Sequence, residues 1–353
     1  MAARDRVSPS LSTQPLASAI REPSVLVRWL ATLWPWLFLA SLLIFFEIWA
    51  RQIYGASFLL NRFNLQSITL FAAAPLILGL GQTFVIISAG IDLSVGFVMG
   101  LAAVVMARVM NLVGNEDLPG LALMVGMGAA LLSALVPGWI NGALISKLKV
   151  PAFIGTLGMY GVARGTGFLA ADGTTVPVNN PWLFQMGNAK LLGVPVPVII
   201  AILLVLVMHY VLSQTKFGQY TYAIGGNRTA AIRAGINVRR HTLIIYMIAA
   251  GCAGSAGMIY TARFSAGAAQ AGEPLLLDSI AAVVIGGASL FGGSGTIIGT
   301  VIGALIIAVI QYGLVFINVE PFWQFVAVGV VIIVSVLIDQ SQTRLTGEVK
   351  EDG

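Results

Sequence analysis

The stretch GQTFVIISAGIDLSVGFVMG, residues 81–100, carries an apolar run into a glycine-bearing break and straight on into a second apolar run. Its surroundings decide how it is read. Of the 353 residues, 58% are hydrophobic and only 9% are charged, and mean hydropathy is +0.92; soluble globular chains carry about a quarter charged residues. Apolar runs of about 20 residues, each able to cross about 30 Å of hydrocarbon as a helix, recur along nearly the whole length, and the weak ten-residue alternation of barrel strands does not. The expectation is an all-α, polytopic integral membrane protein.

Apolar segments place ten spans near 29–49, 66–88, 93–113, 119–146, 152–171, 195–213, 242–262, 276–291, 296–317 and 321–338. Ten is even, so both ends of the chain share one side. The polar first 28 residues, with four arginines and no cleavage signature before a spanning run, read as a retained cytoplasmic tail, and 339–353 as a cytoplasmic C-terminal tail. With that orientation thirteen Lys and Arg fall on the cytoplasmic side and four outside. Cationic residues are retained on the cytoplasmic side, so this bias orients the chain. It also accounts for the net charge of +5 without a nucleic-acid partner.

A second stretch, IAAVVIGGASLFGGSGTIIG (280–299), repeats the form of the first, with Gly286 and Gly287 in the break. Paired breaks in two halves of a chain mark pseudo-related halves with broken helices along a pathway, or else two tight cytoplasmic turns. Between spans five and six, residues 172–194 are rich in Pro, Gly and Asn and read as an external loop.

Catalytic groups are scarce. The glycines of 286–296 lack the lysine a phosphate loop requires. Two histidines, His209 and His241, and one cysteine, Cys252, offer no metal cluster and no nucleophile with its base. No cofactor or metal is expected. Ionisable groups at membrane depth are expensive. Asp92, followed by Ser94, and Asp278 stand at expected span starts, where a carboxylate caps free N–H groups or meets a substrate. Arg164 snorkels outward, pairs with a carboxylate such as Asp172 on its own segment, or faces a water-filled cavity. Glu47 is read as an interfacial charge. Asn141, Thr156, Tyr160, Gln311 and Tyr312 are polar side chains on apolar spans, positions that suit either a pathway or helix packing.

One cytoplasmic segment, 214–241, breaks the apolar pattern with Lys216, Arg228, Arg233, Arg239 and Arg240. Asn227 after Gly225 and Gly226 is a good N-cap, RTAAIRA provides two turns of helix former, and Gly235 stands where a helix ends left-handed. So short a helix is marginal in water by itself and must dock, on the anionic leaflet or in the groove of a cytoplasmic protein.

In order and spacing, QTFVIISAGIDLSVG (82–96), NGALISKLKVPAFIGTLGMYGVARG (141–165), FGQYTYAIGGNRTAAIRAGINVRR (217–240) and LDSIAAVVIGGASLFGGSGTIIGTVIGALI (277–306) resemble the permease subunits of bacterial ABC importers for monosaccharides, the ribose/xylose/arabinose type. The resemblance runs from about residue 66 to residue 340. It implies a permease homodimer in the inner membrane, a cytoplasmic ATPase whose two domains are often fused, and a periplasmic sugar-binding protein. It also implies that the chain is no enzyme, and that Gly226, Asn227, Ala230, Ala231, Gly235 and Ile236 form the coupling helix that contacts the ATPase. The rival expectation is an ion-coupled secondary transporter, which would need carboxylates at the midplane.

Overall fold

A computed structural model describes residues 25–320 and 322–345. Most of the two tails, including Arg4, Arg6, Arg21 and Lys350, therefore lies outside the described residues. Ten helices fall at the ten expected spans, all but α11 long: α1 (Val25–Tyr54), α2 (Arg62–Ile87), α3 (Val95–Val113), α4 (Pro119–Ser146), α5 (Ala152–Ala170), α7 (Val196–Gln214), α10 (Val238–Phe264), α11 (Glu273–Ile285), α12 (Ile297–Phe316) and α13 (Phe322–Leu345). Three short helices join them: α6 (Pro181–Asn188), α8 (Lys216–Gly226) and α9 (Arg228–Arg233). The strands are two-residue pairs, β1 (Val176–Pro177) with β4 (Ala266–Gly267) and β2 (Lys190–Leu191) with β3 (Val194–Pro195). The chain is an all-α polytopic membrane protein.

Among the described residues, seven helices are long and apolar enough to cross a membrane. The other three have identifiable reasons. α5 is diluted by five glycines and Arg164, α13 contributes the shorter apolar stretch Phe322–Val334, and α11 has only 13 residues, about 20 Å of helix. Residues 276–291 are thus no continuous span: the helix begins three residues earlier and stops at Gly286.

The four helices α2, α3, α10 and α12 form the centre. Two thirds or more of the apolar window of each is buried, against about a fifth for α1, α4 and α7. α2 is apolar all round, the pattern of a helix with neighbours on every side. α10 carries Ala249, Ala250, Ala253, Gly254, Ala256 and Gly257, all buried. Such small side chains let backbones approach, and close packing is what holds helices together in lipid.

The quoted stretch turns back into the bundle. Past Ile87 the chain reverses through Ala89, at φ 59°, with the Gly90 N–H donating to Val85 O at 2.9 Å. Gln82 Nε2 then donates to Asp92 O and Tyr246 OH to Ile91 O, so residues 91–92 lie more than a turn above the end of α2. The same manoeuvre occurs from the opposite end after α10. Ser265 takes φ 48°, and 266–272 descends along α3, Gly267 against Ala103, Ala269 against Gly100 and Gly272 against Gly96. Each reversal opens with Ser-Ala-Gly, at 88–90 and 265–267. The helix starts of α3 and α11 meet at Gly96 and Gly272, the form of an inverted repeat. The two breaks paired in the sequence reading lie side by side at one end instead: the Gly293 N–H donates to Ile87 O at 2.8 Å.

Two further elements differ from expectation. Residues 172–194 are ordered, not an irregular loop. β1 pairs with β4, Asn180 caps α6 through the Trp182 and Leu183 N–H groups, and Gly187 lies on Ala262 of α10. Glu47 is half-buried, and its carboxylate accepts the Phe58 and Leu59 N–H groups at 2.8 and 2.9 Å and the Ser57 hydroxyl, stapling the turn between α1 and α2.

Candidate functional site

At the end of the bundle where α2 stops, α7 continues into α8 and α9 before α10 begins. Local rules written in the sequence build α9. The Asn227 side chain accepts the Ala230 N–H at 2.9 Å. Gly235, at φ 82°, ends the helix, with the Ile236 N–H returning to Ala231 O at 3.1 Å. Only glycine takes that left-handed angle without crowding its Cβ. α9 rests on a small cluster of Ile224, Ala231, Val238 and Ile236.

Of the residues assigned to this helix, Ala231 is turned inward and is 3% exposed. Gly226, Asn227, Ala230 and Gly235 are exposed, and Ile236 is half-buried. The outward face also carries Ile232, 57% exposed, with Arg228 and Arg233 on either side of it. More than half of this isoleucine, flanked by two arginines, is left uncovered by the described residues.

The sequence reading missed α8, taking 217–226 as a lead-in to the Gly-Gly turn. Its signal is weak because no side chain caps its start. Tertiary contacts hold it: Phe217 lies against His241 with centroids 4.2 Å apart, Thr221 Oγ1 and His241 Nε2 are 2.9 Å apart, and Tyr222 OH donates to Gly295 O at 2.7 Å. Phe217 also meets Phe84 of α2. α8 therefore links α9 to α10, to the end of α2 and to the glycine turn 286–296.

Above this end lies a buried polar cluster at the first reversal. Asp92 Oδ1 accepts the Ser94 N–H at 2.9 Å and the Ser94 hydroxyl at 2.6 Å. Asn141 Nδ2 donates to Ser94 Oγ at 2.9 Å. Asp92, Ser94 and Asn141 are each at most 1% exposed. The carboxylate closes a turn on Ser94, the residue before α3, and does not reach the free N–H groups of the helix itself; Asn141 of α4 braces that turn.

Asp278 caps nothing, because α11 starts five residues earlier; it accepts Gln311 Nε2 at 2.9 Å. Tyr312 OH donates to Asn64 Oδ1 at 2.7 Å, and Thr156 bonds back to Ala152 O. Thr156 and Tyr312 thus have their hydroxyls engaged inside the protomer, whereas Asn141 is engaged through Nδ2 alone and its buried Oδ1 has no partner among the described residues. Gly286 ends α11 against Gly299, and Gly287, at φ 89°, opens the glycine turn.

Arg164 does not pair with Asp172. Arg108 of α3 takes that carboxylate and also donates through Nε to Ala170 O at 2.8 Å, reaching it across the α3–α5 contact. Arg164 instead lies over the Phe97 ring at 5.4 Å, and Tyr160 meets the same ring edge-on at 4.6 Å. The face of α5 that bears Arg164 also exposes Leu157, Gly158, Gly161, Val162 and Gly165. It offers a cation, a phenol and apolar surface together.

A family model described as the permease component of branched-chain amino acid transport systems matches residues 64–336. Curated relatives match over most of their length. The ribose import permease protein of Bacillus subtilis is 40% identical over 269 residues, 76% of this chain and 81% of the relative. The D-allose transport system permease protein of Escherichia coli is 37% identical, covering 78% and 83%. The fructose import permease protein of Rhizobium meliloti is 38% identical, covering 75% and 74%. No solved structure matches the chain significantly.

Proposed function

The chain belongs to the family of permease components of branched-chain amino acid transport systems, and from that premise we propose that it forms the membrane path of an ATP-driven importer for a monosaccharide. It is a multi-pass membrane permease, a transport subunit and not an enzyme. The relatives named for ribose, allose and fructose support a sugar as the cargo, and a further relative is named as a probable ABC transporter permease.

The observation that carries the reading is α9, a capped helix of six residues whose outer face is left exposed by the described residues. A helix this short holds its shape by docking, and Ile232 between two arginines suits the groove of a cytoplasmic ATPase. Residues 214–241 are then the coupling segment, and 172–194 faces outside toward a periplasmic sugar-binding protein. Both tails, 1–28 and 339–353, are cytoplasmic. A second copy of the chain completes the pathway, and the ATPase is a separate or fused pair of domains.

The mechanism follows from the contacts of α8. When nucleotide draws the ATPase domains together, the docked α9 helices move with them. α8 passes the displacement to α10 through Phe217 and Thr221, to the end of α2, and to the glycine turn through Tyr222. Those elements surround the first reversal, so its access changes from one side to the other. A neutral, polyhydroxylated cargo needs transient hydrogen bonds and an apolar or aromatic face. On α5, Tyr160 and Arg164 beside Phe97 supply both, and we assign the pathway to that face, opposite its copy in the second permease. Gln311 with Asp278, and Asn141, Thr156 and Tyr312, hold the helices that frame it.

Two measurements test the coupling role. A cysteine at Ile232 is expected to crosslink to the co-purified ATPase, whereas one at Ala231, turned inward, should crosslink weakly; equal labelling of both would refute the docking face. Gly235→Val forces a β-branched residue into the left-handed region at about 1–2 kcal/mol, which loosens the end of α9. Sugar uptake by reconstituted vesicles should fall several-fold while ATP hydrolysis persists. The reading fails if uptake per ATP is unchanged. An ion-coupled secondary transporter would instead accumulate sugar in vesicles holding this polypeptide alone, driven by an ion gradient.

A further inference from the structure

A cavity of about 760 Å³ opens at the α9 end between the 88–90 reversal, the α4–α5 connection, α9 and the start of α10. Among the described residues its wall carries Lys149, Arg228 and Arg239 and no carboxylate. Three cations converging from three segments with no counter-charge among them repel one another, and nothing in the fold requires their convergence.

Ser146, the last residue of α4, also lines the cavity. It is 3% exposed and its Oγ has no hydrogen-bond partner among the described residues. Leaving a buried hydroxyl unpaired is unfavourable, and a ligand oxygen in the cavity would pair it. Ala152 completes this side. It is the first residue of α5, which begins after Pro151 without a side-chain cap, so its early N–H groups and positive dipole end are unanswered. Cations, an orphan hydroxyl donor and an uncapped helix start on one wall are complementary to an oxyanion.

We propose that this cavity binds a phosphate ester, its phosphoryl group between Lys149, Arg228 and the start of α5, with Ser146 donating to a phosphate oxygen. The volume exceeds what phosphate alone needs and leaves room for a sugar-sized or glycerol-sized remainder. Binding would tie α9, through Arg228, to the α4–α5 connection, through Lys149. That link restrains the element assigned above to coupling, so the regulatory consequence, lower transport when the cavity is filled, rests on that assignment. The binding itself does not.

Two sources carry the chemistry, a soluble sugar phosphate and the phosphodiester of an anionic lipid headgroup. Thermal unfolding and titration calorimetry on the purified permease, without any ATPase, separate them. The probes are glucose 6-phosphate, inorganic phosphate and glucose in detergent at constant ionic strength, and nanodiscs of phosphatidylcholine with or without about a quarter phosphatidylglycerol. The expected result is binding of glucose 6-phosphate at least about tenfold tighter than glucose, weakened about tenfold or more in Lys149→Gln/Arg228→Gln. Stabilisation by phosphatidylglycerol alone, lost in the same variant, assigns the site to lipid. Both altered side chains are at the surface, so the variant should unfold at the parent temperature without probe, and Ser146→Ala gives a second, milder reduction. Binding unchanged in the double variant, or no response to any phosphate probe, overturns the proposal and leaves the transport reading untouched.

Discussion

Gly272→Val is expected to leave little or no folded permease in the membrane, while Gly128→Val is expected to be nearly silent. At Gly272 an added Cβ would meet the carbonyl oxygen, carbonyl carbon and Cα of Gly96, and at Gly96 it would meet the carbonyl of Gly272 in turn. These are backbone atoms at the abutting starts of α3 and α11, so no side chain can rotate away. Overpacking a core costs about 1–3 kcal/mol where neighbours adjust, and here adjustment means separating the two reversals on which the halves of the fold meet. Gly128, on the outer face of α4, has nothing within 4 Å of the same added atom. Fluorescence-detected size-exclusion chromatography of both variants, expressed in parallel, makes the comparison. Equal monodisperse yields would mean that the reversals do not meet as described.

The second large effect is expected at Asp92. Asp92→Leu removes the acceptor of both the Ser94 N–H and the Ser94 hydroxyl, and Asn141, which donates to that hydroxyl, loses an oriented partner. Each buried polar group left unsatisfied costs about 1–3 kcal/mol, so a loss of about 2–5 kcal/mol follows. For a chain of this size that lowers the unfolding temperature in detergent by roughly 3–7 °C. Asp92→Asn keeps an acceptor oxygen for both bonds and is expected to melt close to the parent. If Asn and Leu behave alike, the carboxylate serves something other than the turn, such as cargo contact, and uptake would then fall in both without a change in melting.

The two substitutions probe different kinds of information in the chain. A local bond from Asp92 was readable as a possibility from Gly-Ile-Asp-Leu-Ser before an apolar run, because such bonds involve atoms a few residues apart; the structure gives it as a turn on Ser94, not as a cap of α3. α9 is built by local bonds too. Asn227, the RTAAIR turn and Gly235 determine its start, length and end with no help from the rest of the protein, and all three are found as expected. The Gly96–Gly272 contact joins residues 176 positions apart in sequence, and neither glycine stands out among the chain's forty. The glycine-rich stretch that did stand out, 286–296, forms a turn beside Ile87 at one end. The true counterpart of 88–96 is the unremarkable 265–273, because a reversal packed into the bundle needs only small residues, here one Ser-Ala-Gly turn in each, and carries no glycine cluster.

Side-chain direction divides the same way. Arg164 and Asp172 are eight residues apart on one segment and looked like partners, yet Arg108 reaches Asp172 from α3 because that helix lies alongside. Ala231 was expected on the docking face, and its inward turn was set by Ile224 and Val238, which come from the elements before and after it. α8 has neither a capping side chain nor a strong pattern, and exists through Phe217, Thr221 and Tyr222 binding to other helices.

The amino-acid order by itself determined that this is a bundle of membrane helices, where nearly all of them run, which end carries the basic segment, and that the segment holds a capped short helix. These properties depend on hydrocarbon thickness, charge retention and backbone hydrogen bonds within a few residues. Only the tertiary structure decided that the chain reverses into the bundle from both ends, that the two helix starts meet at a pair of glycines, and which face of α9 is left free. Those outcomes depend on close backbone approach between distant segments, and the distance between two glycines in space is not a property of either one's neighbours in sequence.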